Sequence, residues 1–457
     1  MNTLNWNYIG AFLLELLPII WVFLYSLIII FGLIKKEFLI VYFLKLNCFI
    51  IFLLNLFLFT RNTIHYHTLS WNLNISFGHW FNVEGMGTKL ELSYNFESFI
   101  FINLMVFLTV TIARFSRTYL HKEHGFYRFF LLIGIFMASF NTVVLANNLD
   151  LVFVAWELIG LTSALLIAFY NFREQTVRNS FWAVISYRLS DVFFIVALAF
   201  AHIMFHTTNI SQLVIFASQP AFHQKMLIFC LLLIVGGLAK GAQFPFISWP
   251  MRAMEGPTSS SALYYGALSV SLGPILLIKN FLLFQDLLMV RVFIGAVALI
   301  TAPMALIISK VRSDMKSTLA YSSIFHISII CLEIALGLKW LAIFHLVSNA
   351  FIRIDQFLSS LNVIQDFYEN PLFFPGAKLN ISNSDKNFQS SRFQKKIYHL
   401  AVNGFGFDWF IQNKVIGRWL SVLYIIESAE DKFVKLDPMI KDHQDENLNQ
   451  ENLWNLS

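Results

Sequence analysis

Long apolar runs separated by short polar joints set the pattern of this chain. Runs of about 17 to 25 apolar residues, enough to cross a hydrocarbon core as a helix, recur about eleven times. They lie roughly at Ala11–Ile34, Phe38–Thr60, Phe96–Phe115, Phe129–Leu145, Leu151–Tyr170, Phe181–Phe205, Met226–Gln243, Ala262–Phe284, Leu288–Ile308, Leu319–Leu336 and Trp340–Leu361. The pattern predicts an all-α polytopic membrane protein with a broken seventh helix. Three regions follow: a two-helix segment with a polar loop over 1–95, a helix bundle over 96–361, and an extramembrane tail over 362–457.

The seventh run is the one most at odds with its surroundings. In LLIVGGLAKGAQFPFISWPMRAMEGPTSSSAL, Leu232–Leu263, an apolar helix carries Lys240, breaks at Phe244-Pro245-Phe246 and again at Gly256-Pro257, then re-enters an apolar run. Proline removes a backbone donor and clashes with the preceding turn, which lipid tolerates only where neighbours or water satisfy the freed carbonyls. A lysine at mid-bilayer costs about 2.5–3.5 kcal/mol on insertion scales, so it is expected to face the bundle interior. Together these features mark a candidate ion path.

Other polar residues interrupt the apolar runs. Glu157 sits near the start of the fifth run, inside VFVAWELIGLTSALL. Burial disfavours the charged form of both Glu157 and Lys240, and a salt bridge between them would restore both charges. Such a pair is either a proton switch or a static ion pair. Arg188 and Asp191, three apart in SYRLSD, share one helix face and suit an interfacial salt bridge as well as a relay. His345, Asn349 and Arg353 recur every four residues on the eleventh run, a polar stripe that reads as a hydrated path or a helix–helix contact. Glu333, late in the tenth run, is expected near an interface with its carboxylate reaching for water.

The joints orient the bundle. Between the third and fourth runs, Arg114, Arg117, Lys122 and Arg128 stand against the single acid Glu123, which places that loop on the negative side of the membrane. Arg61 to Tyr94 reads as a long polar loop with Trp71, Trp80 and Tyr94 as interfacial anchors. The tail is expected to carry an amphipathic surface helix over Ile397–Leu436 and a frayed charged end. The first run is too long for a cleavable signal, which predicts an uncleaved first helix inserted during synthesis.

Composition agrees and narrows the chemistry. The chain is 57% hydrophobic and 13% charged, with mean hydropathy +0.65, against about 25% charged in soluble domains. A net charge of +5 without a basic run gives no footing for nucleic acid, and lipid is the expected surroundings. Cys48, Cys230 and Cys331 each lie within an apolar run and read as free core thiols, not as a disulfide framework or a metal site. No glycine-rich phosphate loop, nucleophile triad or metal-spaced cluster stands out. Cofactor and metal sites are therefore expected to be absent from this chain, whose chemistry is proton or ion movement. Fifty phenylalanines with much Ile, Asn and Lys suggest an AT-rich, organellar genome.

Several segments are familiar as a set. NNLDLVFVAWELIGLTSALLIAFY, SYRLSDVFFIVALAF, LAKGAQFPFISW followed by AMEGPT, SDMKSTLAYSS and FHLVSNAFIR stand in the order and spacing of the NADH dehydrogenase subunit 5 family, the distal antiporter-like subunits of respiratory complex I. RTYLHKEHGFYRFF resembles that family's loop before its fourth helix, and the resemblance runs roughly from Tyr94 to Leu361. It implies an antiporter-like fold in the mitochondrial inner membrane, inside an H+-translocating NADH:ubiquinone reductase. Glu157 and Lys240 would be the carboxylate and lysine of a proton half-channel, and Arg188 and Asp191 would belong to the network coupling neighbouring subunits. NADH, FMN, iron–sulfur clusters and ubiquinone would sit in partner subunits, leaving no redox chemistry here. The expected partners are membrane-arm subunits, above all a neighbouring antiporter-like one.

The chain departs from the family at telling places. Tyr265 stands where the family usually has a histidine, Asn349 and Arg353 where it has a histidine and then a lysine, Arg252 for an aspartate and Ser259 for a proline. The family's further broken helix, later spans and lateral helix have no counterpart, although Gly404–Leu420 faintly resembles the segment after the lateral helix. Either an internal block is lost or a separate chain supplies the missing half. Two alternatives stay open: a degenerate, non-conducting structural subunit of the same complex, and a subunit of a multisubunit sodium/proton antiporter.

Overall fold

The computed structural model describes residues 2–32, 36–68, 71–83, 86–312, 314–360 and 392–406, with positions 409, 414 and 418. The helices are α1 (Asn2–Ile30), α2 (Glu37–Tyr66), α3 (Phe96–Tyr119), α4 (Phe126–Leu145), α5 (Leu149–Ile167), α6 (Glu174–Phe205), α7 (Ile210–Ala217), α8 (His223–Leu238), α9 (Trp249–Arg252), α10 (Thr258–Ser261), α11 (Leu272–Lys279), α12 (Phe281–Phe284), α13 (Leu288–Val311), α14 (Met315–Ala335), α15 (Lys339–Ser359) and α16 (Arg392–Val402). Among the described residues, eleven helical stretches are long and apolar enough to cross a membrane. The chain divides into compact units at 1–395 and 396–457. Most of the expected surface helix over Ile397–Leu436 lies outside the described residues.

Short polar side chains start the helices where the sequence supplies them. Asn95, Asn148, Asn209 and Asp314 each accept a hydrogen bond from a backbone N–H in the first turn of α3, α5, α7 and α14, satisfying donors that a helix start leaves orphaned. The span Thr258–Lys279 is buried along its whole length and forms the centre of the bundle, whereas α1 and α2 bury only a minority of their residues and lie at its edge. The basic loop between α3 and α4 is tied to the head of α2: Glu37 accepts from the Lys122 backbone at 3.0 Å and meets His121 Nδ1 at 2.7 Å. Arg117 lies over the Phe38 ring and Arg128 over Phe169.

On the opposite face the expected polar loop is a β-hairpin, β1 (Asn72–Val83) paired antiparallel with β2 (Met86–Asn95). Its signal was the period-two alternation Leu73, Ile75, Phe77 and Leu90, Leu92, Tyr94. Trp71 and Tyr94 are not interfacial anchors; both are buried, ring against ring with centroids 5.4 Å apart. The Trp80 side chain lies outside the described residues. Tyr94 Oη donates to the side-chain and backbone oxygens of buried Asn55, at 2.7 and 3.0 Å, and Asn55 Nδ2 donates to Asn103 and to the Phe99 carbonyl. Burial pushes the Tyr94 hydroxyl well above the ordinary tyrosine range, which keeps it a donor. Tyr94→Phe leaves Asn55 Oδ1 buried without this donor, and a loss of about 1–3 kcal/mol is expected. A lowered melting temperature of the detergent-solubilised protein checks it, and an unchanged one rejects the hairpin's anchoring role.

Candidate functional site

The seventh helix ends five residues earlier than its apolar run suggests. α8 stops at Leu238, and Lys240 lies in the turn that opens the break instead of inside the helix. Gly236, Gly237 and Gly241 weaken the helix here, and Pro245 pushes Phe244 out of the helical region. The freed backbone is met by side chains of neighbouring elements. Trp249 Nε1 donates to Ala239 O at 2.7 Å, Phe244 N donates to Thr301 Oγ1 of α13 at 2.9 Å, and Gln243 Nε2 donates to Gly241 O at 2.9 Å. Ser328 of α14 donates to Gln243 Oε1 at 3.1 Å. Such satisfaction is what irregular backbone at membrane depth requires.

The eighth span is broken as well. After α10 it runs through a π-helical segment, Ala262–Ala267, that carries Tyr264 and Tyr265, and only then resumes as α11. Wide helical turns of this kind gather at functional sites. Two irregular segments thus lie in the centre of the bundle.

Lys240 is 2% exposed. Its Nζ donates to the Trp156 carbonyl on α5 and sits 4.3 Å from the centre of the Trp156 ring, a cation–π placement. Gly160 leaves the space: a Cβ there would lie 3.5 Å from Nζ. The direct Glu157–Lys240 salt bridge expected from the sequence is not formed. Glu157, next along α5 from Trp156, turns toward α6 and pairs with Arg188, while its Oε1 is buried without a hydrogen-bond partner among the described residues. Lys240, Asp191 and Arg188 all lie within electrostatic reach of that carboxylate.

The expected Arg188–Asp191 partnership is likewise replaced. Asp191 accepts from Trp156 Nε1 at 2.9 Å, while Arg188 points to Glu157. The reason is geometric: α5 presents Trp156 and Glu157 at successive positions, about 100° apart around the helix, so each reaches a different residue of α6. Glu157, Arg188, Asp191 and Lys240 therefore form one four-charge cluster organised around Trp156.

Beside Lys240 lies a hydroxyl cluster that sequence reasoning missed. Ser163 Oγ is 3.1 Å from Tyr187 Oη and 2.9 Å from Tyr265 Oη, with all three residues buried. Lys240 Nζ is 5.9 Å from the Tyr187 ring centre. The π-helical segment in turn packs on α15, where a Cβ on Gly266 would lie 3.6 Å from Arg353 Cβ. The spacing Ser163–Tyr187 carried no motif, since the residues come from separate helices.

The polar stripe on α15 splits into two groups. Arg353, 5% exposed, donates to Asn349 Oδ1 at 3.3 Å, Gln356 Oε1 at 2.7 Å and Ser322 Oγ at 2.7 Å. His345 Nδ1 is 2.9 Å from Glu333 Oε1, and its Nε2 is 3.1 Å from His326 Nδ1 on α14. With its proton on Nδ1, His345 donates to Glu333 and accepts from His326. Glu333 is thus a partner of His345 instead of a snorkelling end group. His326, whose apolar run gave the only hint, completes the chain.

Among the described residues no group of three or more His, Cys, Asp or Glu is placed to hold a metal. What the arrangement offers is a set of exchangeable protons in a low-dielectric interior: carboxylates, an ammonium without a direct carboxylate contact, hydroxyls and two imidazoles.

Residues 146–380, just over half of the chain, match the family model described as NADH:quinone oxidoreductase/Mrp antiporter, TM. The chain belongs to that family. Curated relatives include NADH-ubiquinone oxidoreductase chain 5 of Halichoerus grypus, 31% identical over 64% of this chain and 47% of the relative. The same chain of Yarrowia lipolytica is 31% identical over 64% and 44%, and NADH-quinone oxidoreductase subunit L of Pseudomonas aeruginosa is 33% identical over 62% and 47%. The chain therefore spans about half the length of these relatives. Solved structures share the fold. The archaeal membrane-bound sulfane sulfur reductase superposes with TM-score 0.66 at 20% identity, covering 76% of this chain and 70% of that one. The Mrp complex from Dietzia sp. DQ12-45-1b gives 0.61 at 22%, covering 78% and 37%. The antiporter-like membrane fold is thereby established.

Proposed function

We propose that this family member is a membrane-arm subunit of a proton-pumping NADH:quinone oxidoreductase and contributes a proton half-channel centred on Lys240. The observation that carries the reading is the placement of Lys240. It is buried in a helix break, held by a carbonyl and a ring face, and lies beside a cluster with two carboxylates and one arginine. A lysine held this way changes proton occupancy when its surroundings change. A shift of Glu157 from Arg188 toward Lys240 favours the ammonium, and its return favours release to the Ser163–Tyr187–Tyr265 hydroxyls. The driving signal would come from quinone reduction elsewhere in the complex, so NADH, FMN, iron–sulfur clusters and ubiquinone belong to partner subunits, and a neighbouring antiporter-like subunit would supply or receive protons. On this reading the membrane is the mitochondrial inner membrane.

A second reading rests on Arg353. An arginine stays protonated in proteins and is clamped here by three side chains. If the onward route ends there, the chain fills the family's place without conducting. Membership of a sodium/proton antiporter is a third reading, excluded if the chain co-purifies with flavin and iron–sulfur subunits.

The test is Glu157→Gln in sealed membrane vesicles, read as protons moved per NADH oxidised. Losing the carboxylate leaves Arg188 and Lys240 without this opposite charge. Each pKa unit of lost stabilisation is about ten-fold in proton occupancy, so even a shift of about 0.3 unit gives the expected fall of at least about two-fold in coupling. Unchanged coupling selects the non-conducting reading.

A further inference from the structure

The face that bears the β-hairpin holds a second charged network, which the cluster around Lys240 does not use. Lys279 ends α11, and its Nζ donates to the carbonyls of Val143 and Val144, at 2.6 and 2.9 Å, in the last turn of α4. Helix C-terminal carbonyls carry partial negative charge and favour a cation there. Two acids lie within electrostatic reach, Glu15 of α1 and Glu97 of α3. Each is already engaged elsewhere: Glu15 accepts from Asn141 Nδ2 at 3.0 Å and from Thr142 Oγ1, and Glu97 pairs with Lys339 at the head of α15. The direct partners of Lys279 are thus neutral carbonyls, and no carboxylate contact locks its proton.

Lys279 also borders open space. It lines a cavity of 310 Å³ together with Asn74, Asn95, Glu97, Asn147 and Lys339. Asn74 at its rim is exposed, which joins the cavity to the hairpin face. Asn147 Nδ2 is buried and has no hydrogen-bond partner among the described residues. A buried amide left dry costs about 1–3 kcal/mol, and a roomy polar cavity answers that need with water.

The same helix leads back to Lys240. A Cβ on Gly273, at the start of α11, would lie 3.1 Å from Gly237 O and 3.3 Å from Gly241 Cα, so α11 begins against the broken segment itself. Lys279 is six residues further along, about 9 Å at 1.5 Å per residue, toward the hairpin face.

We propose that Lys279 is the gate through which the bundle exchanges protons with water in this cavity on the hairpin face. The Lys279 ammonium gives a proton to a cavity water: an N–H bond breaks, an O–H bond forms to give hydronium, and the lone pair stays on the neutral amine. That amine is recharged by a proton arriving through the bundle from the Lys240 side, and the sequence runs equally in reverse. Glu15 of α1 and Glu97 of α3 lie within electrostatic reach of Lys279, and Lys339 of α15 lines the same cavity. The proposal rests on the proton path of the preceding section.

The test uses the intact complex in sealed vesicles of both orientations. Lys279→Cys should react with a membrane-impermeant cationic thiol reagent only from the hairpin face; Cys48, Cys230 and Cys331 are buried and give little background. Lys279→Met, which removes the proton carrier, should lower protons moved per NADH by about ten-fold or more, at least the effect of one pKa unit, with the complex still assembled. Lys279→Arg, which keeps the charge but does not release a proton, should be as low. No labelling of Lys279→Cys where Asn74→Cys is labelled overturns the gate. So does full pumping by Lys279→Arg, which would mark a structural anchor. Normal pumping by Lys279→Met beside a deficient Lys240→Ala overturns the gate and leaves the proposed function standing. Normal pumping by Lys240→Ala overturns both.

Discussion

Lys240→Ala is expected to lower proton translocation by about ten-fold or more while the subunit still inserts and assembles, taking one pKa unit of lost proton affinity as the smallest effect. The lysine lies in the broken segment, within electrostatic reach of Glu157 and near the Ser163–Tyr187–Tyr265 hydroxyls. Alanine removes the carrier and leaves Glu157 paired with Arg188 and Asp191 held by Trp156 Nε1. The Trp156 carbonyl loses a donor but sits within α5, where the helix supplies another. Structural damage should therefore be small, and Lys240→Met, which keeps the side-chain volume, separates packing from protonation. The measurement is the proton-to-NADH ratio in vesicles beside the amount of assembled complex in a native gel. Normal coupling at normal assembly would reject the relay.

The second large effect is structural. Gly236→Val in α8 is expected to cost about 3 kcal/mol or more, the upper end for over-packing, because the obstacle is backbone. A Cβ at this position would fall 2.8 Å from Phe194 Cβ and 2.9 Å from Phe194 N on α6. Small residues let membrane helices approach this closely, and α8 cannot retreat without carrying the broken segment and Lys240 with it. Gly295→Ala in α13 is the control: its nearest neighbour would be Ala335 Cβ at 3.6 Å, an ordinary contact. Thermal unfolding in detergent and the amount of subunit retained in the membrane should separate the two. Equal stability of both variants would reject the close packing of α6 on α8.

The spans were legible because twenty apolar residues in lipid have one backbone solution, a helix that satisfies its own hydrogen bonds. About eleven runs were expected, the described residues hold eleven spans, and the prolines and glycines around Lys240 marked the broken one. The break at Ala262–Ala267 left no such mark, since neither proline nor a glycine pair announces a π-helical turn. The hairpin had a signal in its alternation, overlooked because polar residues between two spans read as a loop.

The chain's own residues determined which side chains would be interesting: a lysine, a glutamate and an arginine–aspartate step inside apolar helices each demand a partner, whatever the fold. Partner choice belonged to the tertiary structure alone. Glu157 met Arg188 and not Lys240, Asp191 met Trp156, and Glu333 met His345, because helix phase and crossing decide which of several nearby charges a side chain reaches. Sequence spacing resolves neighbours along one helix, three or four residues apart. Contacts between helices depend on rotations that the chain encodes only through the packing of the whole bundle.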